Sequence, residues 1–159
     1  MTPFILKPAI LAGLALWLSI ACANNVVDRK TNRLLLKNMF SMSLLQEDGF
    51  LGQGLLRRAW RAQNIEHKFL WGIVAVQICI VASLWTSVVL MILAGENPSY
   101  GIVALTVSNW SLLAFMGLWF FFLCGGLWFG YWIKTPNVQM FHMLLLIITL
   151  LAMILINLQ

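Results

Sequence analysis

The sequence predicts an all-α membrane protein with four transmembrane helices and an amphipathic interfacial loop between the first two. Hydrophobic residues make up 62% of the chain and charged residues 9%. An ordinary soluble domain is about 45–50% apolar and about 25% charged. Four apolar runs are each long enough to cross a hydrocarbon core of about 30 Å. Lipid must therefore be the main solvent, and the length suits one domain, residues 1–159.

The predicted spans cover residues 4–23, 69–94, 100–132 and 138–158. The first contains Lys7 and ends at Ala21-Cys22-Ala23, a pattern typical of signal peptides, and we interpret it as an uncleaved membrane anchor. The third is longer than a bilayer requires, so it must tilt, kink or protrude. We expect the kink at Gly125-Gly126.

Residues 24–68 form the predicted interfacial loop and contain eight of the ten basic residues, namely Arg29, Lys30, Arg33, Lys37, Arg57, Arg58, Arg61 and Lys68. Apolar residues at helical spacing from Leu34 to Leu45 predict an amphipathic helix on the membrane surface. A basic segment in this position favours contact with anionic lipid headgroups. Nucleic-acid binding would require a folded basic domain or a recognisable motif, and we expect none.

Two features of the sequence disagree about its orientation in the membrane. The excess of Lys and Arg in the first loop predicts that this loop is cytoplasmic and that both termini are outside. The signal-like N-terminus predicts the reverse. We favour the charge rule, because the loop is short enough for that rule to apply.

Polar side chains are rare inside the spans, and Gln77 and Asn109 are the long ones in spans two and three. A proton or ion carrier needs ionisable groups within the membrane, and the centres of the predicted spans have no Asp, Glu, Lys or Arg. We therefore interpret Gln77 and Asn109 as partners in hydrogen bonds between helices. Asn25, Asp28 and Asn32 follow span one and predict a helix cap, since a calcium site would need about six to eight oxygen ligands.

Histidines occur at two positions, His67 and His142, which the predicted spans bring to the same membrane face. Two imidazoles could share a haem iron or a copper ion, although interfacial, solvated histidines are the more common case. We expect no metal and no cofactor. Nucleotide-binding, zinc-protease and serine-nucleophile motifs are missing from the sequence, so we expect no enzyme activity.

A glycine-rich aromatic segment closes span three. The spacing Gly126-x-x-x-Gly130 allows two helix backbones to approach closely. Large aromatic side chains surround it, which favours binding to another membrane-protein subunit or to lipid. The predicted contact residues are Phe121, Gly125, Gly126, Trp128, Phe129, Gly130 and Trp132.

Several short patterns occur in a fixed order along the chain: Asn25-x-x-Asp28-x-x-x-Asn32, Ser41-Met42, Trp60-Arg61-Ala62 and Gly125-Gly126-x-Trp128-Phe129-x-x-Trp132. With them the sequence resembles an uncharacterised family of small bacterial integral membrane proteins, catalogued as a domain of unknown function. The resemblance implies four spans and a bacterial inner-membrane location, but no established activity. It also implies glutamates where Gln77 and Leu127 stand here, so a proton or transport role that depends on those acids would be missing from this chain.

We therefore expect a non-catalytic accessory or structural subunit of a larger bacterial membrane complex, with respiratory and other energy-converting complexes as candidates. One alternative is a small homo-oligomeric transporter or channel with a polar path through Gln77, Asn109 and Thr106. Another is a haem- or copper-binding redox subunit that uses His67 and His142. Other membrane-protein subunits and lipids are the expected partners.

Overall fold

Residues 2–158 are helical apart from short turns in the computed structural model, which describes the side chains of residues 5–158. Over residues 2–158 the α-helices are α1 Thr2–Val27, α2 Arg29–Ser41, α3 Ser43–Asp48, α4 Ile65–Glu96, α5 Gly101–Trp128 and α6 Pro136–Asn157. Short 3-10 helices cover Gln53–Arg58, Pro98–Tyr100 and Tyr131–Ile133. Four helices of this described part, α1, α4, α5 and α6, are long and apolar enough to cross a membrane, which confirms the predicted fold class.

The observed helix ends differ from the predicted span ends. Helix α1 continues past Ala23 to Val27, and the 32 residues of α4 extend for about 48 Å, so polar turns of α4 lie beyond the hydrocarbon core. Helix α5 ends at Trp128, four residues before the predicted end of span three. The chain turns there because Gly130 has a φ of +62°, which favours glycine. Gly125 and Gly126 thus lie in the last turn of α5.

The predicted interfacial loop forms a helical linker, consisting of α2, α3 and the 3-10 helix Gln53–Arg58. Met42 joins α2 to α3 in a left-handed conformation, and its N–H bonds the carbonyls at the end of α2. Phe40, Met42 and Leu45 of this linker pack with Phe129 in one buried apolar cluster. The linker is therefore attached to the end of α5.

The main core lies between the four spans. Its fully buried members include Leu11 of α1, Leu84 of α4, Phe115 of α5 and Ile156 of α6. Along the bundle α1 packs on α4, α4 on α5 and α5 on α6, whereas α1 and α6 contact each other only sparsely. The outward side chains are mostly apolar, as lipid contact requires. Side chains bridge α1 and α6 at two levels: the Trp17 and Phe141 rings lie 6.2 Å apart, and Lys7 Nζ donates to the carbonyl of Leu158 at 2.7 Å.

Candidate functional site

A cavity of about 820 Å³ lies at the linker end of the bundle. All six α-helices contribute to its walls, which are largely apolar and aromatic. Such a volume falls within the range of about 300–1,000 Å³ that is usual for ligand sites. Its wall includes Trp17, Ala21, Asn24, Asn25, Asn32, Asn38, Met42, Trp60, Ile73, Gln77, Trp119, Phe121, Phe122, Gly125, Trp128, Phe129, Tyr131, Lys134, Val138, Phe141 and His142.

The cavity extends from the membrane surface into the bilayer. On α1 its wall includes Asn25, near the linker, and Trp17, eight residues earlier. At 1.5 Å per residue this span measures about 12 Å along the helix. Helix α2 lies over the outer end and contributes Asn32 and Asn38. The cavity therefore begins among amides at the interface and ends among aromatic rings inside the membrane.

Two amides join α1 to α4 within this site. Asn25 Nδ2 donates to Gln77 Oε1 at 2.8 Å, and Gln77 is only 3% exposed. A buried amide needs such a partner, because otherwise no hydrogen bond compensates the free-energy cost of removing the amide from water. Sequence reasoning named both residues as structural polar groups, and the structure brings them together at the cavity wall.

Asp28 and Asn32 shape the turn between α1 and α2. Asp28 is the N-cap of α2, and its carboxylate accepts the N–H of Thr31 at 3.3 Å. Asn32 Nδ2 donates to the backbone carbonyl of Asp28 at 3.1 Å. These bonds satisfy polar groups at a helix start. They also fix the direction in which α2 leaves the turn, and α2 then borders the cavity.

The two histidines have different surroundings. His142 lines the cavity, stacks on Trp119 with ring centroids 5.8 Å apart, and its Nδ1 lies 3.2 Å from the Tyr131 hydroxyl. Burial raises the pKa of Tyr131 to about 12, so its hydroxyl stays protonated. His67 is exposed on α4, edge-on to Trp71, and is not part of the cavity wall. Among residues 5–158, no group of three or more His, Cys, Asp or Glu side chains could hold a metal ion.

The predicted contact face at the end of α5 does not form one outward surface. Gly126, Phe129 and Gly130 are buried inside this chain, so they face its own linker and turn residues. A methyl group on Gly126 would overlap Gln139 and would lie 2.6 Å from the Tyr131 ring. Phe121 and Trp128 line the cavity but are also about half exposed, Gly125 lines the cavity, and Trp132 is exposed in the following turn.

Asn109 lies in the opposite half of the bundle. It exchanges two hydrogen bonds with Asn157 of α6, at 3.1 and 2.7 Å. Along antiparallel helices α4 and α5, the helix bounds put Asn109 about 16 Å from the level of Gln77. The two amides thus belong to separate sites.

A hydroxyl cluster between these levels was missed in the sequence. Ser87 Oγ lies 2.9 Å from Ser111 Oγ, and Ser83 also hydrogen-bonds Ser111. The spacing Ser83-x-x-x-Ser87 places both hydroxyls on one helix face and could have revealed the cluster. Ser87 and Ser111 also lie within donor distance of carbonyls of their own helices, so each single hydroxyl proton has a choice of acceptors within the cluster, which indicates a structural role.

Three cations belong to segments that border the cavity, and of these Lys134 lies in its wall. The Arg58 guanidinium lies over the Trp128 ring, 4.9 Å from its centroid. Lys134 pairs with Asp48, and Arg33 pairs with Glu66 at 2.9 Å. The Leu51 N–H and the Lys134 ammonium lower the pKa of the Asp48 carboxyl below its ordinary value.

Comparison with known protein families identifies the family of this chain. A family described as predicted small integral membrane protein (DUF2165) matches residues 4–159. No curated protein and no solved structure gives a significant match. The resemblance read from the sequence motifs is thus confirmed at the level of the family. Seven residues of those motifs line the cavity described above, namely Asn25, Asn32, Met42, Trp60, Gly125, Trp128 and Phe129.

Proposed function

This chain belongs to the DUF2165 family of small integral membrane proteins, and on that premise we propose that it is a non-catalytic accessory subunit of a larger complex in a bacterial inner membrane. The partner subunit docks on the outward face of α5. The observation that carries this proposal is the position of one tryptophan, Trp110.

Trp110 points away from the bundle and is 67% exposed. It lies about 7 Å from the middle of α5, well inside a hydrocarbon layer that extends about 15 Å from its centre. Tryptophan normally occupies the membrane interface, where water or headgroups accept its indole N–H. At the depth of Trp110 lipid tails offer no acceptor.

A second tryptophan at similar depth shows the contrast. Trp85 of α4 donates its indole N–H to Ser19 Oγ of α1 at 3.3 Å. Trp110 makes no such bond within the described residues, and its neighbour Asn109 directs its amide to Asn157. A polar acceptor on a neighbouring subunit would satisfy Trp110, and the flat indole would supply a large contact area.

Purification from native membranes in mild detergent tests this role. We expect another membrane protein to co-purify with the tagged chain and to be lost when Trp110→Leu is introduced. Trp71→Leu is the matched control, because Trp71 is also exposed but lies about 9 Å from the start of α4, near the interface. A wild-type chain that is monodisperse and captures no partner would overturn the proposal.

The two alternative functions have direct tests. A homo-oligomeric transporter would show self-association through Trp110 together with flux in proteoliposomes that Gln77→Leu abolishes. The separation of about 16 Å between the levels of Gln77 and Asn109 weighs against one polar path through both. A redox subunit would show haem absorbance or bound copper after purification. The separate surroundings of His67 and His142 weigh against that reading.

A further inference from the structure

We propose that the cavity at the linker end holds one anionic glycerophospholipid, with an acyl chain between α1 and α6 and its phosphate at Arg58. This binding site goes beyond the accessory role and does not depend on it. The argument rests on the walls of the cavity, its opening and the charge at its rim.

The walls suit a lipid better than a water-soluble ligand. They are mainly apolar and aromatic, with a few amides at the outer end. The cavity reaches about 12 Å along α1 from the interface, which is the depth of a glycerol backbone and the upper acyl chains. A polar metabolite would lose its hydration there without enough partners in return.

The opening faces the bilayer. Val138 and Phe141 of α6 border the cavity and are 45% and 50% exposed on the outside of the bundle. Ala21 of α1 borders the cavity on the other side, and deeper in the membrane the Trp17 ring packs on Phe141 with centroids 6.2 Å apart, so the opening lies on the linker side of that contact. An acyl chain can therefore enter sideways from the membrane without crossing water. A ligand arriving from the aqueous side would have to displace α2 and α3, which lie over the outer end.

Amides at the outer end can bind the head of such a lipid. Asn24, Asn25 and Asn32 line this end. Each amide carries two N–H donors; Asn25 uses one of them on Gln77, and Asn32 uses one on the carbonyl of Asp28. Donors that remain can reach the ester and phosphate oxygens, which are acceptors only.

The charge at the rim favours an anion. Arg58 lies over Trp128 and has no carboxylate within 4.0 Å among the described residues, whereas Lys134 and Arg33 are already paired. Residues 24–68 contain eight basic and four acidic side chains, a net charge of 8 − 4 = +4. A phosphate near Arg58 would form a charge-assisted hydrogen bond, and a second positive group such as choline would be repelled.

The first experiment counts lipids on the whole chain. The protein is reconstituted in phosphatidylcholine nanodiscs that contain a minor fraction of phosphatidylglycerol, re-extracted in mild detergent and weighed by native mass spectrometry. We expect one retained phosphatidylglycerol per chain. Equal retention of the two lipids, an empty cavity, or a different apolar compound such as a quinone in its place would overturn the proposal.

Two glycines of α5 locate the bound chain. Gly125 lines the cavity, and a Cβ there would meet nothing within 4 Å, so Gly125→Leu fills the site. Gly117 is equally open but lies on the exposed side of the same helix, so Gly117→Leu is the matched control. We expect Gly125→Leu to abolish retention and Gly117→Leu to leave it unchanged. Full retention in Gly125→Leu would contradict the assignment.

A second pair keeps the test decisive if Gly125→Leu does not fold. Ala21→Phe on α1 also fills the cavity, and Ala23→Phe places the same ring on the exposed side.

For the headgroup, Arg58→Gln is expected to reduce the preference for phosphatidylglycerol about tenfold, the equivalent of one charge-assisted hydrogen bond. Arg57→Gln, next to it on the exposed side, should keep the preference. An equal loss in both arginine variants would overturn the placement of the phosphate.

Discussion

Asn25 at the end of α1 donates a hydrogen bond of 2.8 Å to the buried Oε1 of Gln77 in the middle part of α4. The bond connects the first two spans directly beside the cavity. The resemblance of the sequence motifs implies a glutamate at the position of Gln77 in related chains. Glutamine keeps an acceptor for Asn25 and adds no charge, so this link between helices needs no ionised group inside the membrane.

Removal of this bond should weaken the bundle. We expect Gln77→Leu to lower the free energy of unfolding by about 0.5–1.5 kcal/mol, since interhelical hydrogen bonds in membranes are worth about 0.6 kcal/mol on average and leave an unpaired amide when broken. Reversible unfolding in mixed micelles measures this change in the free energy of unfolding. A double-mutant cycle with Asn25→Leu should show a coupling of similar size. Strictly additive effects would mean that the two amides do not interact.

The cap at the start of α2 gives a second prediction. Asp28→Ala should cost about 0.5–2 kcal/mol in stability of the linker, because the N–H of Thr31 loses its acceptor. Asp28→Asn should retain most of the stability of the linker, since an amide oxygen can cap the helix in the same way. Hydrogen exchange of residues 29–41 measures the loss. Protection that instead depends on added calcium would point to the cation site and against the cap.

The four spans were predictable because their signal is strong and local. Long apolar runs such as the one in α4 can be satisfied only as helices in lipid. The predicted end of span three lies four residues beyond the observed end of α5. The apolar sequence continues through Tyr131 and Trp132, whereas the backbone turns at Gly130. Hydropathy indicates which segments can be buried in lipid, but it does not locate a turn that depends on a residue with positive φ.

The cavity was harder to predict, because its parts are distant in sequence. Asn25 and Gln77 were both recognised as polar residues, but their pairing depends on how α1 packs on α4. Gly126 and Phe129 were assigned to a partner surface, whereas the linker folds back and covers Phe129. An aromatic, glycine-rich segment indicates close packing, and the sequence does not say whether the packed neighbour belongs to the same chain.

Acid should loosen the contact between the linker and the turn before α6. The pKa of Asp48 is lowered in the folded state, so its contribution to stability is complete above the ordinary value of about 4 and disappears as the pH falls through the lowered pKa. The protection factors of residues 49–58 in nanodiscs, which are exchange rates corrected for the intrinsic pH dependence of amide exchange, should therefore fall in acid. Asp48→Asn keeps an oxygen that can accept from the Leu51 N–H but loses the ion pair with Lys134, so its protection factors should be lower than those of the wild type near neutral pH and should not fall further in acid. Glu47→Gln should behave like the wild type, because Glu47 is exposed. The same acid profile in Asp48→Asn would contradict this cause.

Adjacent glycines at the end of α5 should respond in opposite ways to alanine. Alanine in place of glycine stabilises a helix by up to about 1 kcal/mol, and Gly125 has open space for the methyl group. At Gly126 the methyl group would overlap Gln139 and would lie 2.6 Å from the Tyr131 ring. The end of Gln139 can move, but Tyr131 is fixed by its hydrogen bond to His142 at 3.2 Å.

Overpacking of this kind costs about 1–3 kcal/mol, which exceeds the helical gain. We therefore expect Gly126→Ala to be less stable than Gly125→Ala by about 1–3 kcal/mol in mixed-micelle unfolding. Both positions lie in the same last turn, so the helical term largely cancels from the difference. Tyr131→Phe combined with Gly126→Ala frees the ring from His142 and should recover part of the loss. Equal stability of the two alanine variants would show that the turn after α5 rearranges at little cost in free energy and that Tyr131 is not held in place.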